Sequence, residues 1–275
     1  MRKYRKPHRI KKKKMNKYKK RQSNIYNPDL KEPFRISRSK IDLFLQCPRC
    51  FYLDRRIGLG RPSMPGWSLN SAVDYLLKKE FDLLRKNGEA HNLMTEYGVD
   101  AVPFKHKDLP KWRDDHYKYT GACVLHKKSN LEICGIVDDI WINKKNKELY
   151  IVDYKATSTS KEISLDDKYK QGYKKQMDIY QWIFRQMGFN ISNTGYFLFA
   201  NASKNNPKFD GKLEFKASIL PYNGDDSWVD SAILDIKKCL DADVIPNAGE
   251  GCEHCERERL VKQEGNNHWQ KTFDL

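Results

Sequence analysis

Two carboxylates and an ammonium stand at a spacing that chemistry can use. In Tyr150-Ile-Val-Asp-Tyr-Lys-Ala156, Asp153 and Lys155 are two residues apart, and a strand sends such a pair out of one face. Ile151 shares that face, while Val152 and Tyr154 point the other way. An ionised carboxylate is costly to bury unless a cation or hydrogen bonds compensate it. The preceding apolar segment, Gly135-Ile-Val-Asp-Asp-Ile-Trp-Ile142, adds Asp138. Asp138, Asp153 and Lys155 together would form a cradle for a divalent cation and a phosphate. The alternative is an Asp–Lys ion pair at a sheet edge. A second constellation is thiolic: Cys47-x-x-Cys50 and Cys252-x-x-Cys255, about 200 residues apart. Two such pairs can close a site of four thiolates, suited to zinc or to an iron–sulfur cluster. The alternative is reduced cysteines, with Cys47 buried in a first helix. Cys239 and His254 are lesser candidates, and Cys123 and Cys134 fall within strands and are expected to pack there.

The elements that must position these groups follow from periodicity. Ser37 or Ser39 can cap a helix through Ile41, Leu43, Phe44 and Leu45 that Pro48 interrupts. Gly58 to Gly66 is a loop. A helix over about 68–85 carries Leu69, Ala72, Val73, Leu76, Leu77, Phe81 and Leu84 at helical spacing, and Asn87-Gly88 ends it. Residues 90–117 give no clear pattern. Strands are predicted over roughly 119–126, 132–142 and 148–156, the last two joined as a hairpin through 143–147. A helix over about 169–187, strands near 195–200 and 213–220, and a helix over about 227–240 complete the order. The end beyond Cys255 reads as polar. A meander, a crossover helix and a further strand give the α/β class, a mixed central sheet flanked by helices.

The chain has 275 residues, a net charge of +16 and 39% hydrophobic residues. From Arg2 to Arg21 about thirteen Lys and Arg stand with no acidic residue. Residues 1–33 are therefore expected to be a disordered basic tail, and 34–275 a single domain. Such a tail would strengthen nucleic-acid binding without reading sequence, or would be a solvated, targeting or ribosome-contacting extension. No apolar run approaches the roughly 18 residues of a membrane span. The N-terminus lacks the apolar stretch of an export signal, so a cytoplasmic protein with free or metal-bound cysteines is expected.

These motifs, in this order, resemble the PD-(D/E)XK nuclease superfamily and its RecB-like branch, including the iron–sulfur AddB-type and CRISPR-associated exonucleases. The matching residues are Ser37-x-Ser39 with Cys47-Pro48-x-x-Phe51-Tyr52, Gly135-x-x-Asp138, Asp153-Tyr154-Lys155, Gln176-x-x-x-Tyr180 and the C-terminal cysteine pair. The resemblance implies a restriction-endonuclease-like core and a metal-dependent nuclease that hydrolyses DNA, in repair, recombination or defence. It implies a helicase or another nucleic-acid-processing protein as partner. Asp138, Asp153 and the Tyr154 carbonyl would hold Mg2+ or Mn2+, which favour carboxylate and phosphate oxygens. Lys155 would orient water or offset developing charge. Gln176 and Tyr180 share a helix face and would touch DNA or steady the site; alternatively Tyr180 joins core packing beside Ile179, Ile183 and Phe184. Cys47, Cys50, Cys252 and Cys255 would hold a [4Fe–4S] cluster or Zn2+, although the family usually draws three cysteines from the C-terminus rather than two. One departure concerns Asp74, which stands where the family places His. It either ligates the metal or is a surface residue, with Glu80 a lesser substitute. A catalytically silent nucleic-acid-binding module of the same fold is the competing reading.

Overall fold

The computed structural model describes residues 20–62, 66–114 and 121–273. A short strand, β1 (Phe34–Ser37), leads into helix α1 (Arg38–Gln46) and α2 (Pro48–Tyr52), which continues as a π-turn over Leu53–Ile57. Pro48 occupies the first position of α2, where its missing N–H costs nothing. The long helix α3 (Ser68–Asn87) ends at Gly88, whose φ of 73° is the left-handed cap the Asn-Gly pair announces. Next come α4 (Asn92–Glu96), β2 (Ala101–Pro103) and α5 (Leu109–Asp114). Strands β3 (Ala122–His126), β4 (Leu131–Gly135), β5 (Asp139–Asn143) and β6 (Leu149–Thr157) follow. After them come α6 (Gln171–Gln186), β7 (Thr194–Ala202), β8 (Phe215–Asn223), α7 (Val229–Asp241) and α8 (Glu253–Phe273).

The strands form a three-stranded sheet, β1-β4-β3, and a five-stranded sheet, β2-β5-β6-β7-β8. Strand β6 pairs antiparallel with β5 and parallel with β7, and α6 makes the crossover between β6 and β7. This is the expected mixed α/β arrangement with helices on both faces. One boundary differs. The run 132–142 is not one strand, because pairing stops at Gly135 and resumes at Asp139. Residues 136–138 carry the chain from one sheet to the other, and Asp138 lies on that passage. Among the described residues no helix is long and apolar enough to cross a membrane.

The alternation of β6 divides the core. Ile151 packs with Phe197, Phe199 and the α6 residues Met177, Ile179 and Ile183. Val152 and Tyr154 pack on the opposite face with Leu198, Phe81, Met94 and Trp141. Helix α6 therefore covers the face that carries Asp153 and Lys155, and α3 covers the other.

Several expectations are corrected. Residues 20–33 are not free of the domain: the Arg21 amide bonds the Gly58 carbonyl at 2.8 Å, and Tyr26, 7% exposed, reaches Asp241 at 2.5 Å. The rest of the basic tail, residues 1–19, lies outside the described residues. The stretch after Cys255 is polar as expected, and it is helical. Cys123 and Cys134 do not pack as separate thiols but form a disulfide. They are directly opposed on adjacent antiparallel strands, which brings their Cα atoms to 4.2 Å and their side chains within bonding reach.

Candidate active site and cysteine centre

Asp153 is fully buried in the middle of β6. Its neighbour two residues on, Lys155, ion-pairs with its Oδ2. From α6, Gln176 Nε2 donates to Asp153 Oδ1 at 2.7 Å and lies 3.2 Å from the Tyr180 hydroxyl. Gln176 and Tyr180 thus meet the strand as their four-residue spacing implies. Asp138 arrives from the other direction: its Oδ2 accepts from the Tyr154 amide at 2.8 Å. Five of the residues singled out from sequence, Asp138, Asp153, Lys155, Gln176 and Tyr180, converge. Tyr154 contributes its amide here, while its phenol donates to Asp139 at 2.8 Å on the opposite face.

Gly135 explains part of this convergence. A Cβ there would lie 2.6 Å from the Tyr180 ring, too close to exist without displacing it. The glycine lets the ring approach the backbone at the point where the chain leaves β4 for Asp138.

Asp139, adjacent in sequence, has a different task. It is buried beneath Arg85, which also pairs with Asp82, and Arg113 binds both oxygens of Asp82 at 2.8 Å. This network ties α3 and α5 to the start of β5. It does not join the Asp138–Asp153 group.

Asp74 approaches only indirectly. Lys78, 6% exposed, bonds Asp74 Oδ2 at 2.9 Å and stands 3.8 Å from Asp138 Oδ1. Among the described residues, the sets of three or more carboxylate, imidazole or thiol donors within 4.8 Å of one another are the four cysteines and Cys123–Glu132–Cys134. Asp74, Asp138 and Asp153 do not draw that close. Glu80 faces away, paired with His91 at 2.9 Å. Sequence reasoning missed Lys78, Tyr173, whose ring lies 4.6 Å below the Lys155 ammonium, and Arg38. Lys78 was signalled by its place four residues after Asp74. Arg38 stands between the two serines of the opening motif.

Electrostatics mark the pair of carboxylates. Burial and then the Asp153 charge push Asp138 up to about 7. Burial works against the charge on Lys155, but Asp153 and Asp138 more than reverse it and hold the ammonium above the ordinary lysine range. Asp153 Oδ2 is buried with no hydrogen bond, only the Lys155 ion pair. Two neighbouring carboxylates, one with its proton affinity raised and the other with a buried oxygen met only by the Lys155 ammonium, are a donor set that a hard dication fits.

The cysteines also come together. Cys47 caps α2, and Cys252 and Cys255 flank the start of α8. Cys50 Sγ lies 3.7 Å from Cys252 and 3.6 Å from Cys255, and Cys47 lies 3.7 Å from Cys255. Thiolates ~2.3 Å from one tetrahedral zinc stand about 3.8 Å apart. A cubane instead sets each cysteine on a different iron, so its sulfurs must enclose the whole cube. Four sulfurs all within 4.8 Å of one another leave no room for that. The sulfur spacing is that of a single tetrahedral ion and tighter than a cubane takes up. Burial opposes the Cys47 thiolate, but the Gly249 and Cys50 amides, 3.2 and 3.4 Å from Sγ, bring its pKa down to about 6. Arg61 donates to Cys252 Sγ at 3.4 Å. Cys239 stands apart, its thiol pushed up to about 11 by burial, and His254 is outside the group.

The model of the PD-(D/E)XK nuclease superfamily matches residues 67–260. The chain belongs to the PD-(D/E)XK nuclease superfamily. That span includes Asp74 and the five converging residues Asp138, Asp153, Lys155, Gln176 and Tyr180. A search of curated proteins returned no match. A solved structure described as "Crystal structure of SSO0001" is similar at 14% identity with a TM-score of 0.30, covering 78% of this chain and 80% of that one.

Proposed function

We propose that this superfamily member is a metal-dependent deoxyribonuclease whose reacting centre is Asp138, Asp153 and Lys155. The observation that carries the reading is the chain of contacts from Gln176 through Asp153 to Lys155, with Asp138 held beside it by the Tyr154 amide. Asp138 and Asp153 would hold Mg2+ or Mn2+, with the Tyr154 carbonyl as a further ligand. When bound, such an ion lowers the pKa of water and offsets charge on a phosphoryl group. The protein's own groups do the rest. Gln176 fixes the rotamer of Asp153, and Tyr180 fixes Gln176. Lys155 keeps its proton, so it is a compact positive charge for the attacked phosphate. Lys78 balances Asp138 from the α3 side and carries Asp74 with it. That contact favours Asp74 as a supporting charge rather than a direct ligand.

The resemblance to the RecB-like branch supports a role in repair, recombination or defence, with a helicase or similar protein as partner. The four cysteines we assign to one structural Zn2+, on the strength of their spacing, rather than to a cluster.

The test is incubation of the protein with end-labelled single- and double-stranded DNA in Mg2+ or Mn2+. Cleavage should fall at least about a hundredfold in Asp153→Asn and in Lys155→Ala, with DNA binding retained. Cleavage unchanged in both would show that the centre lies elsewhere. The second reading, a silent binding module, is favoured by Asp74 in the place of His. It predicts DNA binding with no cutting in either metal.

A further inference from the structure

A cavity of about 450 Å³ opens beside the Tyr180 side of the carboxylate pair. Its lining includes five cations, Arg21, Arg35, Arg38, Lys40 and Arg55, and no acidic residue. Among the described residues, two carboxylates stand within ion-pair distance of these cations. Asp54 meets Lys40 at 2.7 Å, Arg55 at 2.9 Å and Arg21 at 3.4 Å, and Glu132 meets Arg35 at 2.6 Å. Cations so outnumbering their counter-charges, in a concave and partly desolvated setting, concentrate positive potential.

Arg38 links this cavity to the reacting centre. It faces the Tyr180 hydroxyl and feels the charges of Asp153 and, more weakly, Asp42. No carboxylate within ion-pair distance of it is found among the described residues. It is also the first residue of α1, and the Ser37 cap makes no side-chain bond to the helix amides. The first turn of α1 carries no acid. The uncapped amides add their partial positive charge at the same place. Gly135 and Tyr180 form the wall shared with the centre.

We infer that this cavity binds a phosphate of the nucleic-acid strand next to the one attacked, with Arg38 as the group that positions it. The inference rests on the nuclease reading for its ligand. The ligand is a phosphate ester, either the terminal phosphate of a strand end or an internal phosphate of a continuing strand. Planar guanidinium groups suit both, because they bind phosphate oxygens in pairs.

The experiment measures binding in the Asp153→Asn background, where cleavage does not interfere. Short single strands bearing a 5′-phosphate, a 3′-phosphate or hydroxyls at both ends are compared with a circular strand by fluorescence anisotropy. Adding Arg38→Gln should weaken binding about tenfold, and Arg38→Lys should weaken it less. Inorganic phosphate should displace the strand from the protein that retains Arg38, and displace it less readily once Arg38→Gln has removed the guanidinium. If the cavity holds a strand end, the tenfold weakening is confined to one phosphorylated end. If it holds an internal phosphate, circular and linear strands weaken equally. Binding unchanged within twofold by Arg38→Gln on every strand, with the thermal midpoint retained, would overturn the inference. A wild-type protein that binds strands through Arg38 but cuts none would overturn the nuclease reading and leave this one standing.

Discussion

At the residue scale the centre depends on groups that a short list of motifs does not fully name. Gly135 has no side chain to contribute, yet an added methyl would collide with Tyr180. Gly135→Ala is expected to lower the cleavage rate about tenfold by tilting Tyr180 away from Gln176. The check is single-turnover cleavage at a temperature well below the melt, which overpacking against Tyr180 should lower by a few degrees. Asp54 gives a pH test away from the metal donors. Burial raises its pKa, but Lys40 and Arg55 reverse this and hold it below the ordinary carboxylate range. Its stabilising contribution is present above the unfolded carboxylate value and is lost as pH falls through the lower folded one. Asp54→Asn should therefore cost about 3 kcal/mol near neutrality, since it leaves three cations without their shared partner. The deficit should shrink between roughly pH 5 and pH 2. Equal deficits at both ends of that range, in thermal melts, would contradict the assignment. The strand residues were legible in sequence because a period of two fixes which side chains share a face. Lys78, Arg38 and Tyr173 were not, since each reaches the centre from a different element and only packing brings them there.

At the scale of elements, the division of the long apolar run matters most. A sequence pattern continuous from Leu131 to Ile142 gave no sign that pairing would stop at Gly135, because both halves are equally apolar. The break lets Asp138 leave the sheet and face Asp153. Strand β2 and α4 were equally hidden, being only 3 and 5 residues long. The C-terminal helix α8 was hidden by its polarity, for residues 253–265 are largely exposed and offer little apolar face to reveal a period. Its start is secured by Cys252 and Cys255. A clasp closing a loop of about 200 residues would stabilise by roughly 5 kcal/mol on loop-entropy grounds. Chelation, or Cys255→Ser, is therefore expected to lower the melting temperature by about 10 °C. One equivalent of zinc and no visible absorbance should accompany the intact protein. Iron with a brown colour would contradict the four-sulfur geometry.

At the scale of the molecule, positive charge is concentrated at the N-terminal side of the fold. The cavity cations Arg21, Arg35, Arg38, Lys40 and Arg55 all come from the first 55 residues, and the basic run of residues 1–19 precedes them. Deleting residues 1–19 should flatten the dependence of DNA affinity on salt, by about one unit of slope for each phosphate the tail neutralises. The cleavage rate at saturation should stay the same. Affinity titrations at several salt concentrations read the first, and saturating single turnovers the second. A large drop in the saturated rate would place the tail in the reaction itself. At the centre of the molecule, Asp138 and Asp153 must act together as a dication site, and Mn2+ titration followed by electron paramagnetic resonance addresses this most directly. The wild-type protein should bind Mn2+ at a site that Asp138→Asn and Asp153→Asn each weaken at least about tenfold. Undiminished Mn2+ binding in both variants would contradict it.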